Sequence, residues 1–160
     1  MDHIVAISRA DHPLAISPKP SLARAVKDFG WVVGLPKGIA RRVFRRALES
    51  NGLAEPTQLI ETNSFSLMQG LLLQGDWIGL SSVAEIHHLA DTNQLATLDL
   101  HLSFGDEADA NLPISVIRRA GTTLPPAAKL ALEYLHASAR ESEAELEQTR
   151  TQIFTRVSSV

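Results

Sequence analysis

Two short turns carry the residues best suited to chemistry in this chain. One is Thr62-Asn63-Ser64-Phe65-Ser66. The other is Leu35-Pro36-Lys37-Gly38-Ile39-Ala40. Each is followed by apolar residues at helical spacing, so each feeds a helix N-terminus. Unpaired N–H groups and the positive end of the helix dipole suit a carboxylate or phosphate there. Asn63 and Ser64 are N-cap residue types, and capping does not exclude ligand contact. Ser64, on a strand-to-helix turn, is also the one serine placed like a nucleophile. It is flanked by Asn63 and Phe65 rather than by the glycines of a G-x-S-x-G elbow, which argues against a hydrolytic triad.

Other clusters are weaker. Lys37, Arg41, Arg42, Arg45 and Arg46 form a basic group that can face an anion or nucleic acid. A solvated helix face accounts for it better, with Lys37 and Arg41, nearest the helix start, as the better ligand contacts. His87 and Asp91 stand at i and i+4, a spacing that can share a metal ion, but no third ligand is in view. His88 points about 100° away from His87 on a helix. No Walker motif and no G-x-G-x-x-G follows a strand. No cofactor and no metal is expected.

The elements that position these turns alternate. His3–Ser8 reads as a strand and Pro13 ends it. Ser21 caps a short helix over Leu22–Val26, Gly30 ends it, and Trp31–Leu35 is a buried-type strand. A helix over Ile39–Ser50 has Ile39, Val43, Phe44 and Leu48 on one face and Asn51-Gly52 as its stop. Thr57–Thr62 is a strand, Phe65–Leu73 a helix, and Trp77–Leu80 the next strand. That βαβ unit puts the Thr62–Ser66 turn at the carboxyl end of a strand, where open α/β sheets bind ligands. A short helix over Val83–Leu89, strand pieces in Leu95–Leu102, a polar loop over Ser103–Asn111 and a strand over Leu112–Arg118 follow. Pro125-Pro126 open a last helix with Ala127, Leu130, Ala131, Tyr134 and Leu135 along one side. From Arg140 to Arg150 the chain is helical and polar without an apolar heptad, and Ile153–Val160 is expected to fray. The order predicts an α/β fold with a mostly parallel sheet flanked by helices.

Composition narrows the function classes. The chain has 160 residues, 44% hydrophobic and 21% charged, with a net charge of −3, which disfavours generic polyanion binding. There is no cysteine, hence no disulfide and no thiolate chemistry. The N-terminus lacks the features of a signal peptide, and no run is long enough to span a membrane. A cytoplasmic location fits.

The motifs, taken in order, resemble the effector-binding (substrate-binding) domain of LysR-type transcriptional regulators. His3–Ser8 with His12-Pro13-Leu14-Ala15 is similar to the hinge strand and the "HPLA" entry into the second lobe. Pro36-Lys37-Gly38 with Arg41-Arg42 is similar to a "P-x-G-x-x-x-R" turn and helix. Glu61-Thr62-Asn63-Ser64 and Gly75–Leu80 are similar to "E-x-x-S … G-x-G-I-x-x-L-P". Pro113–Val116 and Leu124–Ala128 are similar to the return strand and the "S-P-A-A" helix. Two departures stand out. Gly75-Asp76-Trp77 replaces Gly-x-Gly, and Ser81-Ser82 replaces Leu-Pro.

The resemblance covers roughly residues 3 to 138. It implies a type 2 periplasmic-binding-protein-like lobe with hinge strands and a long C-terminal helix, and no catalysis. Residues 1–139 would form a partial effector-binding domain: 9–112 the second lobe, 3–8 and 112–118 the hinge strands, 124–139 a helix of the incomplete first lobe. Residues 140–160 would be a polar helical or frayed tail. The winged helix-turn-helix and half of the first lobe would then lie outside this chain, so it would contact no DNA directly. The implied ligand is a small-molecule effector, held by Thr62, Asn63, Ser64 and Phe65 from one turn and Pro36, Lys37 and Gly38 from the other. A stand-alone binding module and, further off, a small α/β hydrolase using Ser64 are the other readings. An unpartnered last helix predicts self-association through Leu130, Tyr134 and Leu135, or poor solubility.

Overall fold

The computed structural model describes residues 2–86, 94–100, 102, 111–112 and 115–157. His87, His88 and Asp91, the end of the Val83–Leu89 helix and most of the Ser103–Asn111 loop lie outside these residues. The elements are β1 (Asp2–Arg9), α1 (Leu22–Asp28), β2 (Gly30–Val33), α2 (Ile39–Ser50), β3 (Leu59–Glu61), α3 (Phe65–Gln74), β4 (Trp77–Ser82), α4 (Val83–Ile86), β5 (Leu95–Leu98), β6 (Asn111–Leu112) and α5 (Pro126–Val157).

The strands lie in the order β3-β2-β4-β1-β5, with β6 paired to β1. β2 runs parallel to β3 and β4, and β1 is antiparallel to β4, β5 and β6. Every strand except β1 therefore points the same way, and the carboxyl ends of β2 and β3 sit side by side.

Period-two alternation splits the core between the two faces of this sheet. On β2, Trp31 and Val33 face one layer and Val32 the other. The first layer packs Trp31, Val33, Ile78 and Leu80 against Leu22 and Ala25 of α1 and Phe44 and Leu48 of α2. The Trp31 and Phe44 rings stack with centroids 4.4 Å apart, and Trp31 Nε1 donates to the Ala25 carbonyl at 3.1 Å. The second layer packs Ile7 and Val32 against Met68 and Leu72 of α3 and Ile86 of α4. Each such fully buried side chain contributes about 1.5–3 kcal/mol.

Helix ends follow the expected chemistry. Ser21 Oγ caps α1 through Arg24 N–H and Ser64 Oγ caps α3 through Leu67 N–H. Asn51 closes α2, and Gly52 follows at φ 62°, a conformation that favours glycine.

Two expectations need correction. Of the strand expected over Leu112–Arg118, only Leu112 lies in a strand among the described residues, and residues 115–119 are irregular and exposed. The register is the reason. Leu112 pairs with Asp2 and Asn111 with His3, and in this register residue 115 has no strand partner among the described residues. Apolar composition alone does not make a strand where no neighbouring backbone offers hydrogen bonds. Secondly, Ile153–Val157, expected to fray, continues α5 in one unbroken helix of 32 residues.

Candidate functional site

The two turns meet at the carboxyl ends of β2 and β3. Thr62 N–H donates to the Val33 carbonyl at 2.9 Å, which extends the parallel ladder to the first residue of the second turn. Asn63 Oδ1 then accepts the Leu35 N–H at 3.2 Å, a direct tie from one turn to the other. Ser64 N–H donates to Thr62 Oγ1 at 3.0 Å, and Ser64 Oγ accepts from Leu67 N–H at 3.3 Å. Thr62, Asn63 and Ser64 thus fold the second turn on itself. Phe65 is half-buried and packs against the second core layer. Ser64's hydroxyl is a helix cap, a structural duty for the residue weighed above as a nucleophile.

The first turn is different. Gly38 N–H closes it onto the Leu35 carbonyl at 2.8 Å, with Pro36 and Lys37 at its tip. Pro36 and Lys37 are exposed and Gly38 half-buried. Gly38 is the N-cap of α2 and offers no side-chain cap bond. The first N–H groups of an α-helix have no intrahelical acceptor, so those of α2 are not satisfied within the helix or by its cap residue's side chain. All seven expected site residues therefore lie on one pole of the sheet, on two turns joined by Asn63.

Arg41 departs from the expected solvated face and ligand contact. Its side chain is only 10% exposed, in the first turn of α2. Nη2 donates to both carboxylate oxygens of Glu55, at 2.8 and 3.0 Å, and lies 3.7 Å from Glu61 Oε1. Nη1 is buried without an acceptor. The Arg41–Glu55 bond spans 14 positions of sequence, too far for any local spacing rule to find it. The hydrogen bond from Leu35 N–H to Asn63 likewise joins positions 28 apart.

A separate concavity of about 690 Å³ lies at the opposite pole, lined among others by Arg9, Asp11, Gln74, Asp76 and Gln94. Arg9 donates to Asp76 Oδ1 at 2.6 Å and also pairs with Asp11. Its hydrogen bonds to Asp76 and Asp11 raise the guanidinium pKa, and Arg9 in turn lowers that of Asp11. Arg9, the cation among its described lining residues, is already held by two carboxylates, and the concavity is remote from the two turns.

His12, beside that concavity, is fully buried. Nδ1 accepts the Leu14 N–H at 3.1 Å, Nε2 makes no hydrogen bond of good geometry among the described residues, and the ring centroid lies 4.6 Å from that of Phe29. Burial lowers its pKa, against the opposing pull of the Asp76 backbone and carboxylate.

Among the described residues, no group of His, Cys, Asp or Glu side chains is placed to hold a metal ion, and no helix is long and apolar enough to cross a membrane.

No curated protein matches the chain by sequence. Among solved structures, the regulatory domain of CcmR from Synechocystis PCC6803, in complex with 2-PG, superposes with a TM-score of 0.56 at 20% identity, over 86% of this chain and 64% of that one. HinK, a LysR family transcriptional regulator from Pseudomonas aeruginosa, superposes with a TM-score of 0.51 at 16% identity, over 95% of this chain and 45% of HinK. The chain thus spans less than two thirds of the length of either neighbour, and at these identities the likeness is one of fold. The family model for the LysR substrate binding domain matches residues 1–140. That match covers the whole sheet, both turns and the start of α5, and the chain belongs to the LysR substrate-binding domain family, the effector-binding regulatory domains of LysR-type transcription regulators.

Proposed function

We propose that this chain senses a small anionic effector in the cytoplasm and that the paired turns form one wall of its binding cleft. Thr62, Asn63, Ser64 and Phe65 supply one half of that wall; Pro36, Lys37 and Gly38 supply the other. The observation that carries this reading is the 3.2 Å bond from Leu35 N–H to Asn63 Oδ1. It fixes two helix N-termini at one pole, one of them without a side-chain cap, so their fields add where a carboxylate or phosphate would sit. Exposed Lys37 adds a cation at the same rim.

The ligand-bound state of the CcmR regulatory domain supports a small molecule as the ligand class. The β1–β6 pairing at Asp2–Leu112 and His3–Asn111 is the natural hinge for closure over the wall. The role is binding without catalysis. No DNA contact is assigned to these residues, and any effect on transcription would act through packing between regulator subunits.

The test is calorimetric titration with 2-PG, inorganic phosphate and benzoate. Asn63→Ala and Lys37→Ala are each expected to weaken whichever probe binds by about tenfold, the loss of one charge-assisted contact. Binding unchanged in both variants would remove this wall from the site.

A further inference from the structure

We infer that Arg41 is the positioning residue of this wall, holding the Thr62–Phe65 turn through Glu61 and cancelling the negative charge beneath it. The inference rests on the anion-site reading above for its charge role, and on geometry alone for its positioning role. Glu61 is the last residue of β3 and immediately precedes Thr62. Glu55 lies in the connection from α2 to β3. One guanidinium therefore ties the first turn of α2 to the strand that ends in the second turn, and to the loop that leads into that strand.

Two features mark the cluster as more than a surface ion pair. The guanidinium is nearly buried, with 10% of its side chain exposed, while Glu55 and Glu61 are 48% and 38% exposed. It is also underused. One nitrogen serves Glu55 and approaches Glu61 at 3.7 Å, while Nη1 is enclosed without an acceptor. Leaving a buried donor unpaired is costly, and a hydrophobic residue of similar length would avoid that cost. The cation earns its place through the two carboxylates. Without it, Glu55 and Glu61 stand unneutralised at the base of the turn and repel any anion approaching Thr62–Phe65.

A purely structural arginine and a positioning arginine differ in measurable ways. Amide hydrogen exchange is read first, without ligand. Arg41→Met is expected to speed exchange at Thr62 and Ser64 by about tenfold while Val32 and Ile78 in the sheet keep their protection. Uniform acceleration across the sheet, or none at Thr62 and Ser64, overturns the positioning role. Glu61→Gln keeps the arginine and makes the same local prediction, so it decides the matter if the methionine variant does not fold.

Affinity for 2-PG and inorganic phosphate is read second. Arg41→Met is expected to weaken binding about tenfold, and adding Glu55→Gln with Glu61→Gln to recover the part of that loss due to charge, because both repelling carboxylates are then gone. A triple variant that binds no better than Arg41→Met overturns the charge role. If the wild type binds neither probe, the anion-site reading and the charge role fall together, and the exchange result still decides positioning.

Discussion

Helices α2 and α5 carry the same kind of apolar stripe and meet opposite fates. On α2, Val43, Phe44, Ala47 and Leu48 are all buried, with Phe44 stacked on Trp31. On α5, Leu130, Tyr134 and Leu135 are 53%, 69% and 59% exposed, although the helix leans on α4 and Leu132 is half-buried. The difference lies in what faces each stripe. The loop lengths around β2 and β3 place α2 across the sheet, so its stripe meets strand side chains. α5 follows an irregular segment, 115–125, that pairs with nothing among the described residues, and Ile117 there is 93% exposed. Spacing predicts that a helix has an apolar side. It does not predict that a neighbour covers it.

The largest test of this contrast removes one side chain from each helix. Phe44→Ala is expected to cost about 3–5 kcal/mol of stability, because it empties a fully enclosed site beside Trp31. Leu135→Ala is expected to change stability by less than about 0.5 kcal/mol. Chemical denaturation of both variants measures the gap. Equal losses would mean that α5 is covered in solution as well as α2.

A second test probes the tight face of the sheet itself. A Cβ on Gly30 would collide with the six-membered ring of Trp77, its cross-strand partner in the β2–β4 ladder. That ring is rigid and half-buried, so relief requires it to swing away. Gly30→Ala is expected to cost about 1–3 kcal/mol. The other outcome, a neutral change, would show that the ladder edge is looser than the packing suggests.

Much of the sheet was legible from residue types. The Ile39–Ser50 helix, the Asn51-Gly52 stop, the Ser21 and Ser64 caps and the alternation in β2 follow from short-range rules, and the structure has them. The seven expected site residues also lie together, because strand-to-helix turns of neighbouring parallel strands must share a pole. What was not legible depends on distance in sequence. Arg41 reads as one more basic residue on a charged helix face until Glu55 and Glu61 are seen around it. Asn63 reads as a cap and serves instead as the tie to Leu35. The Leu112–Arg118 stretch has strand composition, but a strand also needs a neighbouring backbone to pair with, which composition does not reveal.

A third test is acid. The His12 ring is held neutral by burial, with its folded-state pKa below the ordinary 6.5. Asp76 and Asp11 pull that value up and Arg9 pushes it down, but desolvation is the first cause. The unfolded chain therefore takes up the proton at higher pH than the folded one. Stability should fall as pH drops through about 6.5 and level off below the folded-state value. Melting temperatures of the wild type and His12→Gln, measured from pH 8 to pH 5, should converge on acidification. Parallel curves would mean that His12 does not control the acid limb.

The smallest effect on stability is expected on α5, and it separates an idle stripe from a working one. Tyr134→Ser and Leu130→Ser should leave the melting temperature of a dilute sample within error, since both side chains are already in water. If the stripe pairs with a second copy, as unpartnered apolar surface favours, the wild type should show a mass that rises with concentration in sedimentation equilibrium, and the double variant should stay monomeric. The helix geometry sets the scale. Leu130, Tyr134 and Leu135 occupy little more than one turn, so the contact area is small and the association should be weak, in the micromolar range or above. A wild type that remains monomeric at high concentration would assign the stripe to intramolecular or solvent contact alone, and would leave α2 as the only one of the two helices whose apolar face contributes to assembly of the molecule.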